Sequence, residues 1–485
     1  MDEEIPHDHP HRIYLIIAVV VGAIFLQILG FLLCCKDRCK AKRKAKKMER
    51  VSSIEQPVEV TKVSSIVRES KGSTLVEAVD EEAHVALLGT SLEGAREIFT
   101  DVEGDQENDQ YFNPIIIKMF IAYPIFKFPY ENTVEIFDSG GTAQNREYYT
   151  IMPLKWGIAG AGNISTQFAK CISVLPQTDH IVEAVAAQSL ERAQQFAADL
   201  NIPKSYGSYN QLATDKDIDV VYVGNLNTQH LEVSKLMLAH GKHVLCEKPL
   251  TLNEIQTREL IDYAKEKGLF LMEAIWSRCF PAYDKLRELI DSGTVGDVLY
   301  ATANFGRPFK EVERIISKEL GGGTILDLGI YALQFVQFVY KGLKPISIVA
   351  RGRLNENGVD ESASAILDYD HGKIAIVSSH SRVELVNEGC IIGTKGMIQV
   401  PRFWCPTTIV TPTETFNFEL PDTKGVEFKK NYSVGMSYEA VEVGKCIKAG
   451  NLESTKITHK ESLELAKMMD KIRSDVGVVF PQDKI

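Results

Sequence analysis

The chain has 485 residues and a formal net charge of −11, with 45% hydrophobic and 8% aromatic residues. Such a length predicts more than one domain and a sizeable core, and the acidic balance argues against a nucleic-acid-binding protein. The nine cysteines include no CxxC pair and no His/Cys cluster of zinc spacing. We therefore expect a reduced globular protein without a metal site.

The amino-terminal part predicts a membrane anchor. Residues 13–35 form an apolar run of 23 residues, long enough to cross a bilayer as a helix. Nine Lys/Arg residues follow within 36–50, so the positive-inside rule predicts residues 1–12 as an extracytoplasmic tail and the rest as cytoplasmic. A cleaved signal peptide is the alternative, but basic residues after the apolar run fit it poorly.

Residues 36–150 are interpreted as a basic juxtamembrane segment and linker, mostly unstructured. The stretch 51–73 is polar, as linkers are, and the apolar patch 114–130 contains three prolines, which argue against a second span. Because the character of the chain changes abruptly after this segment, an assembly artefact or a gene fusion remains an alternative. The enzyme would be cytosolic if residues 1–150 were absent from the mature protein.

From Leu154 onward the pattern becomes regular. Apolar strands alternate with helices of 10 to 15 residues up to residue 275, which predicts a doubly wound Rossmann domain over 151–275. After Trp276 several strand candidates lie close together, separated by turns. They predict an α/β domain with a large, mainly antiparallel open sheet over 276–485.

The first strand of this region leads into a glycine turn. Gly160 and Gly162 are followed by Asn163 and Ile164, which open a helix. This arrangement brings backbone N–H groups and the helix N-terminus to a pyrophosphate and predicts dinucleotide binding. Ser165 stands at the third position of the fingerprint, and an ordinary strand–helix turn is the alternative.

The end of the second strand normally selects the adenine ribose. Gln188 occupies this position, no acid is present, and Arg192 lies one turn further on. This favours NADP over NAD without excluding NAD. After the strand that ends at Val223 come Asn227 and His230, predicted at the cofactor crevice. A helix cap for Asn227 and a helix-surface position for His230 are the alternatives.

The predicted reacting centre combines residues from distant parts of the chain. Glu247 and Lys248 end a strand before Pro249, which places Lys248 at the crevice. Asp327 and Tyr331 are four residues apart and share a helix face after a run of three glycines. We expect Lys248 to favour the phenolate of Tyr331, which would exchange a proton with a substrate hydroxyl; a packed helix aromatic is the alternative for Tyr331.

Three further residues are predicted to line the substrate pocket. Trp276 at the domain junction offers a flat apolar face, although a core position is the alternative. Arg278 and Phe305 complete this predicted pocket.

Residues 154–485 resemble the oxidoreductase family of glucose–fructose oxidoreductase and inositol dehydrogenase, and within it most of all the dimeric dihydrodiol dehydrogenases, also called D-xylose 1-dehydrogenases. The motifs that carry this resemblance run through both domains in order. They are Gly160-Ala-Gly162, Cys246-Glu-Lys-Pro249, Leu271-Met-Glu-Ala-Ile-Trp276, Gly322-Gly-x-x-Leu-Asp-x-Gly-Ile-Tyr331, Gly393-Thr-Lys-Gly-Met397, Gly435-Met-Ser-Tyr-Glu439 and Phe480-Pro-Gln-Asp-Lys484.

The resemblance implies an NADP-dependent oxidation of trans-dihydrodiols to catechols and of D-xylose to its lactone. It implies Lys248 and Tyr331 as the catalytic pair, Trp276 as a pocket aromatic, and a homodimer formed through the second-domain sheet. The phosphate-binding arginine of the family matches Gln188, which leaves the cofactor preference open. Another sugar or polyol dehydrogenase, or a catalytically silent membrane-tethered nucleotide-binding protein, is the alternative function.

Overall fold

The computed structural model of the chain describes residues 133–136, 147–150 and 152–484, all within one compact unit, Lys127–Ile485. The predicted membrane span and most of the predicted linker lie outside these residues. Within the described residues, no helix is both long and apolar enough to cross a membrane. Strands β1 (Thr133–Ile136) and β2 (Glu147–Thr150) pair antiparallel, within the segment predicted to be a mostly unstructured linker.

The first large sheet has six parallel strands in the order β5-β4-β3-β6-β7-β8. The strands are β3 (Leu154–Ala159), β4 (His180–Ala186), β5 (Lys204–Tyr206), β6 (Val220–Val223), β7 (His243–Glu247) and β8 (Leu271–Ala274). The helices between them are α1 (Asn163–Val174), α2 (Leu190–Leu200), α3 (Tyr209–Thr214), α4 (His230–Ala239) and α5 (Glu254–Lys267). Strands β6 and β8 are buried along their whole length, as expected where helices cover both faces of a sheet.

This part of the chain confirms the predicted doubly wound domain. Its strand order places β3 beside β6, the point at which the order reverses and ligands bind at the carboxyl ends of the strands. The short elements β5 and α3 were not predicted.

The second sheet has eight strands in the order β10-β11-β12-β9-β13-β14-β15-β16. Only β12 and β9 pair in parallel. The strands are β9 (Val298–Gly306), β10 (Ser347–Leu354), β11 (Asp360–Tyr369), β12 (Lys373–His380), β13 (Glu388–Gly393), β14 (Gly396–Pro401), β15 (Thr408–Val410) and β16 (Thr415–Asn417). The predicted mixed-sheet domain is therefore confirmed.

Helices pack on one face of this sheet and leave the other face exposed. The helices of this half are α6 (Pro281–Asp291), α7 (Glu313–Ile316), α8 (Ile330–Val339), α9 (Ser437–Lys448) and α10 (His459–Val476). Every residue of α8 is buried, and α8 packs on β9 while α10 packs on β10. Along β11, Ala363, Ala365 and Leu367 are buried while Ser364 and Ile366 are exposed, the period of two of a half-covered strand.

Candidate active site

The glycine turn after β3 is shaped for close approach. Gly160 has φ +105°, and a Cβ there would lie 3.1 Å from the backbone carbon and oxygen of Gly224. Gly162 precedes α1 with no side-chain cap, and a Cβ there would meet nothing closer than 3.9 Å. The first N–H groups of α1 thus face open space beside exposed Asn163 and Ile164, as a pyrophosphate requires.

The segment after β4 carries Gln188 at the position where an acid would bind the ribose, with Arg192 in the first turn of α2. Gln188 is exposed, and the Ser189 hydroxyl accepts a hydrogen bond from the Arg192 backbone N–H at 3.4 Å. The Arg192 guanidinium reaches back to the Ala161 carbonyl in the glycine turn, with a distance of 3.4 Å from Nη2. Arg192 therefore lies against the glycine turn.

His230 and Asn227 both bind the protein itself. His230 is fully buried; its Nδ1 lies 2.8 Å from the Pro249 carbonyl and its Nε2 lies 3.2 Å from the Asn225 carbonyl. Burial lowers the pKa of His230, so the neutral ring donates to one carbonyl and fixes the turn that carries Lys248. The surface alternative for His230 is wrong. The Asn227 amide donates to the Gly321 carbonyl at 3.0 Å and links the two halves of the chain.

Lys248 and Asp327 meet as predicted. Lys248 Nζ lies 2.8 Å from the Asp327 carbonyl oxygen and 3.1 Å from its Oδ1. Asp327 lies in a π-helical turn, Ile325–Gly329, that leads into α8; such turns occur often at functional sites. The two side chains are 12% and 8% exposed, so this contact is largely buried.

Asp327 also binds a residue that the sequence analysis missed. Arg314 on α7 donates from Nη1 to the same Oδ1, at 2.7 Å. Burial alone would raise the pKa of Asp327, but Arg314 and Lys248 hold it well below its ordinary range. The carboxylate is therefore charged at any physiological pH.

Tyr331 lies next to this group. Its ring centroid is 5.1 Å from Lys248 Nζ, and its hydroxyl accepts a hydrogen bond from the Trp276 indole N–H at 3.0 Å. Burial, followed by the charges of Glu247 and Asp327, raises the pKa of Tyr331 well above 10.0, while the Trp276 hydrogen bond lowers it. Burial and the neighbouring acids thus oppose the expected effect of Lys248 on Tyr331.

An aromatic wall faces Tyr331. Phe305 packs edge-on against Tyr331 with 5.8 Å between ring centroids and stacks on Trp404 at 4.0 Å. Trp276 is 9% exposed and packs edge-on against Phe280. Trp404 was not predicted, because no spacing in the sequence ties it to this place.

Arg278 corrects a predicted pocket residue. It is 3% exposed, and the five N–H donors of a guanidinium are all taken by protein. The acceptors are the Gln334 side chain and backbone, the Gln337 side chain, the Glu461 side chain and the Lys456 backbone. Arg278 therefore holds α8 to the start of α10 and has no donor left for a substrate.

The three glycines before Asp327 approach the chain itself. A Cβ at Gly321 would lie 2.6 Å from Leu252 and 3.2 Å from Asn227. A Cβ at Gly322 would lie 2.5 Å from the Ile315 carbonyl oxygen. The run of glycines correctly indicated a close approach of the backbone. At Gly321 and Gly322 the backbone approaches the Rossmann half of the chain and the α7 turn.

Three buried acids lie close to the site. Glu247 accepts a hydrogen bond from the Tyr222 hydroxyl at 2.6 Å, and burial raises its pKa. Burial raises the pKa of Glu273 to about 7 and that of Glu439 well above its ordinary value. Neither carboxyl oxygen of Glu439 has a hydrogen-bond partner among the described residues. Among the described residues no group of three or more His, Cys, Asp or Glu could hold a metal ion.

Two family models match these two halves. Residues 154–275 match the model described as an oxidoreductase family with an NAD-binding Rossmann fold, and residues 283–399 match the GFO/IDH/MocA C-terminal domain. The chain belongs to the GFO/IDH/MocA family of oxidoreductases. This confirms the resemblance found in the sequence and the prediction of an enzyme.

Curated relatives cover the same part of the chain. The trans-1,2-dihydrobenzene-1,2-diol dehydrogenase of Xenopus laevis is 46% identical over 332 residues, which span 68% of this chain and 100% of the relative. The enzyme of that name from Sus scrofa is 45% identical over 334 residues, spanning 69% and 100%.

Solved structures share the fold. A 3-ketoreductase from Actinomadura kijaniata in complex with NADP covers 68% of this chain and 99% of its own, with a TM-score of 0.58 and 24% identity. A levoglucosan dehydrogenase in complex with NADH covers 67% and 97%, with a TM-score of 0.58 and 18% identity. Identities this low speak for the fold alone.

Proposed function

We propose that this protein is an NADP-dependent dehydrogenase that oxidises a hydroxyl group on a small ring-shaped substrate. The observation that carries the proposal is the meeting of Lys248, from the end of β7, with Asp327 and Tyr331, beside the edge at which the glycine turn opens. A nicotinamide dinucleotide fits this edge because Gly160 and Gly162 leave room for a phosphate and the N-terminus of α1 is uncapped. When bound, the cofactor supplies the hydride acceptor.

The residues of the chain handle the proton and the position of the substrate. Lys248 has three N–H donors, two of which are directed at Asp327, so one remains for a substrate oxygen. The Tyr331 hydroxyl accepts a hydrogen bond from Trp276. Once it has released its own proton to solvent, the phenolate takes up the substrate proton, and the phenol returns a proton in the reverse direction. The hydroxyl of the substrate would lie between these two groups, held within reach of both.

The aromatic wall supports a ring-shaped substrate. Phe305, Trp404 and Trp276 cluster around Tyr331, and aromatic side chains suit the ring of an aromatic dihydrodiol or the apolar face of a pyranose. Together with the relatives' name, this supports trans-1,2-dihydrobenzene-1,2-diol, oxidised to catechol, and D-xylose, oxidised to its lactone, as substrates.

Turnover of the full-length protein in detergent tests the proposal. We expect reduction of NADP⁺, followed at the NADPH absorbance, with trans-1,2-dihydrobenzene-1,2-diol or D-xylose. Turnover only with other sugars or polyols would change the substrate class and keep the reaction. Binding of NADPH without turnover of any hydroxyl compound would contradict the proposal and leave a silent nucleotide-binding protein.

The preference for NADP is proposed to rest on Arg192. Its guanidinium lies against the glycine turn, the Ser189 hydroxyl is next to it, and no acid stands at Gln188 to accept from a ribose hydroxyl. We expect Arg192→Met to raise KM for NADP⁺ about tenfold, because the variant loses one charge-assisted hydrogen bond to the 2′-phosphate. KM for NAD⁺ should stay unchanged. An equal change for both cofactors would contradict this role.

A homodimer through the exposed face of the eight-stranded sheet is also proposed. Val349, Ile366 and Ile374 on this face are 58%, 51% and 37% exposed, and such apolar surface on a sheet favours association. We expect Ile366→Asp to convert a dimer to a monomer in light scattering of the detergent-solubilised protein. A wild-type monomer would contradict the proposal.

The membrane anchor is proposed from sequence alone. The apolar run 13–35 and the basic residues after it support a single span with the enzyme on the cytoplasmic side. Resistance of the protein to extraction from membranes by alkaline carbonate tests this. Release of the full-length chain by carbonate would contradict it.

A further inference from the structure

Two cations share one carboxylate at the reacting centre. Asp327 Oδ1 lies 2.7 Å from Arg314 Nη1 and 3.1 Å from Lys248 Nζ. If Lys248 and Asp327 were alone, their charges would cancel and the lysine would offer little net field to its surroundings. Arg314 is the group that leaves this set with a net positive charge.

This net positive charge acts on the neighbouring Tyr331. The Tyr331 ring centroid lies 5.1 Å from Lys248 Nζ, and the Tyr331 hydroxyl must carry a negative charge before it can take up a proton from substrate. The other titratable groups that face the set come from several elements: Glu247 on β7, Tyr222 on β6, Glu273 on β8, His230 on α4 and Glu439 on α9. Four of these are acids or phenols, and none adds a second positive charge at neutral pH.

The fold holds Arg314 in this place. Its helical turn α7 is anchored by Ile315, which is 1% exposed, and the Gly323 N–H donates to the Ile315 carbonyl at 2.8 Å. The Gly322 N–H donates to the Ser317 carbonyl at 2.9 Å. Because a Cβ at Gly322 would collide with both carbonyl oxygens, these glycines are what lets the segment before Asp327 wrap around the turn that carries Arg314.

We propose that Arg314 is a positioning residue that leaves the Lys248–Asp327 pair with a net positive charge beside Tyr331 and so promotes proton transfer at the Tyr331 hydroxyl. The proposal rests on the proposed function for its turnover assay. Without Arg314 the deprotonated hydroxyl is disfavoured, so Tyr331 accepts a proton from substrate only at higher pH. Since the Arg314 side chain is 48% exposed, salt screens part of this effect.

Kinetics against pH of full-length variants test the proposal. With D-xylose and NADP⁺, we expect Arg314→Met to lower kcat about tenfold and to move the rising limb of the kcat profile up by about one pH unit, with KM for NADP⁺ unchanged. Arg314→Lys should keep the limb near its wild-type position. Lys310→Met, a change of an exposed cation on the same segment, is the matched control and should match wild type.

A second measurement does not depend on turnover. In protein labelled with [¹³Cζ]tyrosine and saturated with NADP⁺, the Tyr331 resonance is assigned by its loss in Tyr331→Phe, and its titration is followed to pH 11. We expect the titration to move up by about one pH unit in Arg314→Met and not to move in Lys310→Met. Guanidinium ion added to Arg314→Ala should restore the wild-type titration.

The outcomes separate the two proposals. If wild type turns over no substrate, the proposed function fails and the resonance titration alone decides the role of Arg314. An unmoved Tyr331 titration in Arg314→Met contradicts that role even where kcat falls, because the loss is then structural. A wild-type Tyr331 that does not titrate below pH 11 contradicts it as well.

Discussion

The two sides of the crevice are built by different means. On the Rossmann side, the site is formed mainly by backbone groups, namely the Gly160 turn and the free N–H groups of α1. The side chains of His230 and Asn227 there bind backbone carbonyl groups of the chain itself. Around Tyr331, by contrast, charged and aromatic side chains converge from distant segments, Lys248 of the Rossmann half among them. A backbone site tolerates changes of side chain and fails when the backbone loses room; a side-chain site fails one residue at a time.

The largest effect is expected on the side-chain half. Lys248→Met and Tyr331→Phe remove the two groups that hold and exchange the substrate proton, so we expect kcat to fall about 10²- to 10⁴-fold. Quenching of protein fluorescence by NADPH should show unchanged cofactor binding. Tyr340→Phe is the matched control, because that hydroxyl bonds only the Ile374 carbonyl at the far end of α8. Full activity of either site variant would remove that residue from the mechanism.

The next effect belongs to the backbone half. Gly160→Ala places a Cβ 3.1 Å from the Gly224 backbone at φ +105°, which crowds the turn that faces the phosphates. We expect the Kd for NADPH to rise about tenfold or more while kcat at saturating cofactor changes little. Gly268→Ala is the matched control: φ is +63° with nothing within 4 Å of the new Cβ, so it should cost about 1 kcal/mol of stability and no cofactor affinity. Equal Kd values in wild type and Gly160→Ala would contradict the backbone role.

The same contrast explains what the sequence could predict. The Rossmann strands, the glycine turn and the strand-end Lys248 follow from local patterns, and so did the strands from Val298 to Val400. Arg314 and Trp404 were missed because each reaches the site through contacts between segments that are distant in the chain. Arg278 was misplaced because its position two residues after Trp276 does not determine the direction of its side chain.

Some of the missed structure did carry a local signal. Helix α10 was not predicted, yet Thr458 and Glu461 form a capping box at its start and Gly477 ends it, a signature visible in sequence. By contrast, the high pKa of Tyr331 follows from burial among acids, which no spacing of residues reveals.

A smaller effect is expected from Trp276→Phe, which removes the N–H donor to the Tyr331 hydroxyl and keeps an aromatic ring. Since this hydrogen bond lowers the pKa of Tyr331, its loss raises that pKa, and the rising limb of kcat moves to higher pH. We expect kcat to fall about tenfold at neutral pH, the size of one hydrogen bond to a charged group. In the Tyr331→Phe background the same change should have no further effect on kcat; an additive loss would mean that Trp276 acts through substrate contact alone.

The smallest effect concerns stability and lies at the start of the π-helical turn. Asp360 is buried and accepts from the Ile325 N–H at 2.8 Å, while its second carboxyl oxygen has no partner. Burial raises the pKa of Asp360 from 3.8 to about 7, so the folded state binds a proton that the unfolded state releases, and stability falls as pH rises from about 4 to 7. Asp360→Asn keeps an acceptor for Ile325 and removes the titration. We therefore expect the Tm of this variant to decline less between pH 5 and pH 8 than that of wild type, in thermal unfolding followed by circular dichroism.

The matched control is Asp368→Asn, an exposed position on the same strand, which should keep the wild-type decline of Tm. If Asp360→Asn shows the same decline as wild type, another buried acid, such as Glu273, carries the pH dependence.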